Sequence, residues 1–574
     1  MNLTEDNSGF IKKLFMRHVW TNAAAQVVSV VGPVVCGAIA GFAFGGTGLA
    51  IVGLFSPFFF LAGFFGTIVA GGSSTLAAKY IAQDDNSRVN GIYTLALILS
   101  TALAVILFAL LMLLRDPLLT LLTGGGELLE QAALYYFPAV LYTCLTVVIF
   151  LPLSWARLTG RSAVALVLTL ILTGATIAFA TLYVFVSGRG IEWIAYAQLY
   201  GTALALVVSL AMLGMGRNGL SLSKPSHTRD DLTQLATLGS PLGLSRLYRF
   251  VSLLLLNIIL LSAAGAEAVA VFSVLNMILR FVTAFSNGVS GVQMPIAGVL
   301  REERDAASLR QLAQVSFLFG NVVIIAAAVL TAVISYFVVT TLAAASQVYL
   351  FALICLCLYM PFYINGGLAI SWYTAVHKVK LANIITLAQD MVLPLIFAWL
   401  FAAFFGGNTI WLHLPAAGIL TLLLLFFTYR GGGKSDVDSG DAAGGTALAF
   451  SVERDASKAG QASEAVSDFC EEQGFAMKQA MLLSLAIEEL IVLIAEQRPD
   501  GGEISVRLMR FEGGIVLRLR DTGRKFNPLD HFKESLTDDI EDSVGLMGIK
   551  YIIEAAEVVY YRETFGVNNL VVII

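Results

Sequence analysis

The chain has 574 residues, 57% of them hydrophobic and only 13% charged, with a formal net charge of −5. Soluble domains carry about a quarter charged residues, so most of this chain must face lipid. No basic stripe of the kind that reads nucleic acid is present. Five cysteines, four of them inside apolar runs, argue against a disulfide framework.

Met1 to Trp20 is polar and then basic, without a short apolar core and small-residue cleavage site, so the first apolar run is expected to remain as a membrane helix. At about 20 apolar residues per crossing, the sequence predicts spans at 18–43, 49–72, 91–114, 130–153, 161–187, 191–214, 237–262, 267–292, 311–337, 346–367, 380–404 and 410–429. One set of loops carries Lys12, Lys13, Arg17, Arg88, Arg157, Arg217, Lys224, Arg301, Arg310, Lys378 and Arg430, whereas the other set carries only Arg115 and Arg189. The positive-inside rule then places both termini in the cytoplasm of a bacterium, with the bundle in its inner membrane.

The longest hydrophilic loop within the bundle runs from Gly216 to Asp231 and splits the spans six and six. The expected organisation is a first half at 1–216, a loop at 217–236, a second half at 237–430, a linker at 431–445 and a tail domain at 446–574. The stretch Gly72-Ser-Ser-Thr through Arg88 is echoed 218 positions later by Ser290-Gly-Val-Gln through Ala306, each closing a Gly-rich helix on an acidic turn. Such internal repeats are the usual construction of transporters. Eight prolines, among them Pro33, Pro57, Pro138, Pro241 and Pro394, interrupt the spans. They suit helices bent around a central cavity, although membrane helices tolerate proline in general.

Val31-Gly-Pro-Val-Val through Gly41-Phe-Ala-Phe-Gly-Gly-Thr-Gly to Pro57 resembles the first two helices of the multidrug and toxic compound extrusion (MATE) family, and Val292-Gln-Met-Pro-Ile-Ala-Gly resembles its motif at the end of helix eight. The resemblance covers about residues 14–430. It implies an all-α membrane protein of two pseudo-symmetric six-helix halves, a central cavity for a small organic substrate, and efflux driven by H⁺ or Na⁺. Many members carry a coupling Asp in helix one, where this chain has Cys36, and no acid occurs between Asn22 and Gln83.

Ionisable residues inside spans are the default functional candidates. They are Arg246 and Arg249 at the start of the seventh span, Arg280 midway along the eighth, and Asp390 about ten residues into the eleventh. Arg246 and Arg249 share a helix face and read either as cavity residues or as side chains snorkelling to the interface. Arg280 is too deep to snorkel, so Asp390 is its expected partner, with Asp390 the candidate titrating carboxylate. A structural ion pair between the two is the alternative. One charge moved through 100 mV supplies about 2.3 kcal/mol, more than the roughly 1.4 kcal/mol of a tenfold solute gradient, so transport needs no ATP. The histidines share no metal-ligand spacing, and no metal site is expected.

After the Gly-rich linker, whose Gly433-Lys434-Ser435 lacks the leading Gly and flanking strand and helix of a phosphate loop, the tail alternates strand and helix. Strands are expected at 446–452, 503–510, 514–520, 557–562 and 569–574, and helices at 457–473, 476–497 and 547–556. That order predicts an α/β sandwich with helices on one face of a mostly antiparallel sheet. Ala486-Ile-Glu-Glu-Leu-Ile-Val-Leu, Asp521-Thr-Gly-Arg-Lys-Phe-Asn-Pro and Val544-Gly-Leu-Met-Gly-Ile-Lys together resemble the GHKL ATPase superfamily and its anti-sigma-factor serine kinase branch, over about 446–574. The resemblance implies ATP held by Asp521, Gly523, Phe526, Gly545 and Gly548, with Glu489 at the position of the general base. The Asn that carries Mg²⁺ in that family is here Leu493, which offers no oxygen to a hard cation. A nucleotide sensor or docking module for a regulatory protein is therefore expected rather than an active kinase.

The leading expectation is an exporter of organic compounds by cation-coupled antiport with a regulatory tail. The alternatives are a membrane-anchored signalling protein whose bundle senses a ligand, and a flippase for a lipid-linked anionic substrate.

Overall fold

The computed structural model describes residues 8–81, 86–125, 127–158, 162–214, 221–224, 228–302, 306–341, 347–376, 378–428, 447–497, 502–511, 514–522, 526–530, 549–550, 553–554, 556–564 and 567–573. Contacts divide the chain into two units. One comprises Val19–Met294 and Phe317–Phe427; the other comprises Met1–His18, Pro295–Ser316 and Thr428–Ile574.

The chain before the tail is helical: α1 (Ser8–Ile81), α2 (Asn86–Leu113), α3 (Arg115–Thr123), α4 (Glu127–Leu158), α5 (Ser162–Thr181), α6 (Glu192–Gly214), α7 (Thr228–Glu302), α8 (Ala306–Thr341), α9 (Gln347–Ala375), α10 (Val379–Leu387), α11 (Leu393–Phe405) and α12 (His413–Thr428). Among the described residues nine helices are long and apolar enough to cross a membrane, and two of these, at Phe10–Ala77 and Gly243–Gly298, are long enough to do so twice.

Each of the two long helices reverses at one glycine. In α1, Gly45 has φ +64°. A Cβ on Gly41 would lie 3.2 Å from the side chain of Leu49, and one on Gly48 would lie 2.5 Å from the Ala40 carbonyl. Eight residues of straight helix rise about 12 Å, so these contacts require the chain to double back. In α7, Gly265 has φ +77°. The Asn257 amide donates to the Gly53 carbonyl at 3.1 Å, and a Cβ on Gly53 would strike Ser273. Residues 257 and 273 flank Gly265 symmetrically and both meet Gly53, so α7 is a hairpin as well. Only glycine enters the left-handed region without a Cβ penalty, which is why one residue suffices for each turn.

The second arm of α1 lies against the first arm of α7 with the two backbones touching. A Cβ on Gly72 would stand 2.1 Å from the Leu235 carbonyl oxygen, and one on Gly239 would stand 2.0 Å from that of Ile68. Gly239-Ser-Pro-Leu-Gly243 is a small-xxx-small pattern, the device that lets membrane helices approach closely where lipid gives no hydrophobic drive. At the same end, Arg88 of α2 donates to Asp231 of α7 at 2.8 Å, with 13% and 2% of the side chains exposed. Backbone amides of Ser221 and Ser223 donate to Asn90 and Thr94 on α2, strapping the segment before α7 onto α2.

The tail carries β1 (Ala447–Glu453), α13 (Ala459–Glu472), α14 (Met477–Glu496), β2 (Glu503–Phe511), β3 (Gly514–Thr522), β4 (Val558–Thr564) and β5 (Val567–Ile573). The strands form one antiparallel sheet in the order β1-β2-β3-β5-β4. Alternation sends Ile504, Val506, Leu508, Leu517 and Leu519 into the core against Ala462, Val466 and Cys470 of α13 and Leu483, Ile487, Leu490 and Ile494 of α14. The helical spacing of three and four residues is what gives α13 and α14 one apolar face each. The opposite face of the sheet places Arg507 of β2 across from Arg518 of β3. In the same unit Lys13 of α1 forms an ion pair with Glu503 of β2.

Candidate functional site

The deep charges of the bundle gather on three helices. Arg246 and Arg249 lie on the first arm of α7, Arg280 on its second arm, and Asp390 in a π-helical turn at Ala388–Val392 that joins α10 to α11. Such a turn inserts a residue into the helical ladder and re-aims the side chains that follow, a feature common at functional sites. It directs Asp390 toward α7.

Arg249 Nε donates to Asp390 Oδ2 at 3.3 Å, and the Tyr363 hydroxyl of α9 donates to Asp390 Oδ1 at 3.4 Å. The sequence singled out Arg280 as the partner of Asp390, and the structure corrects this: the partner is Arg249. Arg280 instead lies over the rings of Phe59 and Phe60, at 5.6 and 5.2 Å from their centres. Arg249 also lies over Phe60 and Tyr363. The stem of Arg246 packs beside Gly63, 3.5 Å from where a Cβ would stand. Three guanidiniums thus share the region with one carboxylate.

Two small cavities meet here. One, of about 80 Å³, is lined by Phe60, Arg249, Ser252, Asn276, Arg280, Thr283, Tyr359, Tyr363, Gln389, Asp390 and His413 among others. The other, of about 70 Å³, is lined by Pro33, Tyr135, Tyr142, Thr143, Gln198, Ser273, Asn276 and Arg280 among others. Asn276 and Arg280, one helical turn apart, border both. Sites for organic ligands are commonly 300–1,000 Å³, and each of these cavities is smaller than that. The lining is amphipathic: aromatic rings alternate with hydroxyls and amides. His413 is positioned by a hydrogen bond between its Nδ1 and the Ile410 carbonyl at 2.6 Å, and Gln389 donates to the Tyr363 carbonyl at 2.9 Å.

Sequence reasoning missed Asn276, Tyr363, Gln389 and His413, as well as the ion pair of Arg88 with Asp231. Asn276 was open to detection, because it stands four residues before Arg280 on one helix face. The others become neighbours only through helix crossings.

In the tail, Glu489 of α14 accepts a hydrogen bond from the Ile549 amide at 2.8 Å. The carboxylate therefore anchors the segment that follows Gly548. Asp521 is buried at the end of β3, opposite Asn568 of β5. Asn568 accepts from the Phe526 amide at 3.2 Å and from the Tyr561 hydroxyl. Gly523, Gly545 and Gly548 lie outside the described residues. Leu493 is buried among Ile487, Leu490 and Ile494 in the apolar core, so its side chain is committed to packing. Burial also pushes the Cys470 thiol up to about 11.

A MatE family model matches residues 23–182. No curated protein matches the chain. The solved structures that resemble it include an inward-facing multidrug resistance MATE family transporter of the MOP superfamily, at 18% identity and TM-score 0.61, covering 75% of this chain and 99% of that one. They also include a MOP superfamily transporter from Pyrococcus furiosus, described as having a binding pocket of reverse polarity that suggests a different function, at 20% identity and TM-score 0.61, covering 74% and 96%. A MATE protein in complex with MaD3S matches at 19% identity and TM-score 0.60, covering 75% and 97%. At these identities the likeness is one of fold.

Proposed function

For a multi-pass membrane chain with a MATE family region at 23–182 and the fold of MATE transporters, we propose that it moves a small organic solute across the membrane by alternately exposing one central cavity. The carrying observation is the pair of adjoining cavities, amphipathic and rich in aromatic side chains, bordered between them by both arms of α7 and both arms of α1, with Asp390 and Arg249 paired at one of them. A charge at mid-bilayer costs at least about 2.5–3.5 kcal/mol on insertion scales. The Asp390–Arg249 pair supports exchange of a proton or a cation for solute, because Asp390 is the carboxylate among the described residues that line the cavity.

Counting each reversing helix twice and including α8 brings the spans to twelve, the number needed for two six-helix halves. Twelve crossings and the basic loops support a reading in which both termini are cytoplasmic and the bundle sits in a bacterial inner membrane. Export by H⁺ or Na⁺ antiport is the mode this reading assigns, with Asp390 as the coupling carboxylate. The tail is its regulatory domain. Asp521 and Phe526 would contact the adenine of ATP, while Leu493 in the core fits no metal-dependent phosphoryl transfer, so no kinase step is assigned. A regulatory protein docking on the tail is the natural output of such a sensor.

The test is flux in vesicles containing the purified full chain, with an imposed proton or sodium gradient and fluorescent organic probes of both charges. Gradient-dependent movement of one probe, lost in Asp390→Asn, supports the reading. Equal flux with and without protein for every probe overturns it.

A further inference from the structure

Charge balance in the cavity points to the class of solute, an inference that rests on the transport reading above. Two guanidiniums, Arg249 and Arg280, line the cavities, a third, Arg246, packs beside Gly63, and Asp390 is the one carboxylate among the described lining residues. Asp390 is engaged by Arg249 Nε and by Tyr363, and Arg246 stands one turn from Arg249 on the same face of α7. Arg280 is left with aromatic neighbours. Phe59 and Phe60 attract its charge through their π faces, but a ring offers no lone pair to an N–H. No ion pair to Arg280 occurs among the described residues.

A guanidinium held in this way keeps its planar fork of N–H donors for a ligand, and that fork matches the two oxygens of a carboxylate, sulfonate or phosphate. Its position strengthens the case. Arg280 and Asn276 border both cavities, so a group docked on Arg280 lies at the junction of the space between the first-half helices and that beside Asp390. The phenyl rings of Phe59 and Phe60 and the hydroxyls of Tyr142 and Thr283 surround the remainder, which suits an amphipathic organic body.

We propose that the cavity accepts an organic anion whose acidic group docks on Arg280, with Arg249 held in reserve by Asp390. The acidic group belongs either to a soluble organic anion or to a lipid headgroup, and the two share the chemistry that Arg280 reads.

The experiment measures binding to the purified full chain of two probes, carboxyfluorescein and ethidium, in detergent. A parallel arm adds vesicles of phosphatidylglycerol or of phosphatidylcholine as competitors. The expected result is saturable binding of carboxyfluorescein, weakened at least tenfold in Arg280→Gln and partly retained in Arg280→Lys, with ethidium bound more weakly. Competition by phosphatidylglycerol alone assigns the site to lipid headgroups; no competition by either lipid assigns it to soluble anions. Thermal unfolding of each variant confirms that it is folded, and Arg280→Lys keeps the test valid if Arg280→Gln is not. Preference for ethidium, no anion bound by the unmodified chain, or unchanged binding in Arg280→Gln overturns the proposal. Arg280-dependent binding without flux would defeat the transport reading while leaving the anion receptor in place.

Discussion

Arg88 and Asp231 stand 143 positions apart, one on each side of the loop that splits the bundle, and meet at 2.8 Å with almost no side-chain exposure. Together with the backbone contact of Gly72 with Leu235 and of Gly239 with Ile68, this pair ties α2 and the second arm of α1 to the first arm of α7. Removing one partner of a buried ion pair strands the other charge, at a cost of about 3–5 kcal/mol. Arg88→Gln and Asp231→Asn should each lower the midpoint of thermal unfolding, and the exchanged pair Arg88→Asp with Asp231→Arg should recover most of the loss. Additive losses in the exchanged variant would mean that the two side chains act separately.

Two glycine substitutions should have opposite signs. Ala gains up to about 1 kcal/mol over Gly in a helix, and at Gly174 of α5 a Cβ meets nothing within 4 Å, so Gly174→Ala should be neutral or stabilising. At Gly239 the same Cβ enters the Ile68 carbonyl, and overpacking costs about 1–3 kcal/mol. Gly239→Ala should therefore destabilise. Circular dichroism melting of the two variants side by side checks the prediction.

Glu489 holds the Ile549 amide. A hydrogen bond to a charged group contributes roughly 1.5–3 kcal/mol, so Glu489→Ala should release the segment around Ile549 while leaving β1–β3 intact. Hydrogen exchange should speed up at 549–554 and stay unchanged at 504–508. A uniform increase across the tail would show that Glu489 supports the whole fold instead.

The Cys470 thiol is pushed up to about 11 by burial, against about 8.5 for a free thiol. Between these values the unfolded chain has lost a proton that the folded tail keeps. Stability from this group is therefore complete below about pH 8.5 and declines as pH rises toward 11. Because the thiolate is the nucleophile, a variant retaining only Cys470 should react with a maleimide at pH 8 far more slowly when native than in urea. Comparable rates would contradict the burial.

Much of the fold is legible in the sequence, and particular residues show where legibility ends. The apolar runs give α6 and α12 to within three residues and α4 to within five, because length and hydropathy alone decide what crosses lipid, whereas α9 runs eight residues past the predicted span. In the tail, the strands expected at 503–510 and 514–520 match β2 and β3, which pair as antiparallel neighbours. Gly45 and Gly265 fall in the gaps left between the spans at 18–43 and 49–72 and between those at 237–262 and 267–292, but that a single glycine turns each helix back on itself depends on packing that the sequence does not print. The partner of Asp390 was missed for a related reason. Depth in the span favours Arg280, but the π-helical turn at Ala388–Val392 and the crossing of α7 aim the carboxylate at Arg249, and neither has a signature in the sequence.

The central claim, that one buried cavity is opened by separating the halves of the bundle, is tested most directly by tying those halves together. In a cysteine-free background, Arg88→Cys with Asp231→Cys can be bridged by a short cleavable bis-thiol reagent in vesicles already transporting a fluorescent organic anion. The account predicts that flux stops when the bridge forms and returns when it is cleaved. Flux that continues at its full rate through complete bridging would contradict it.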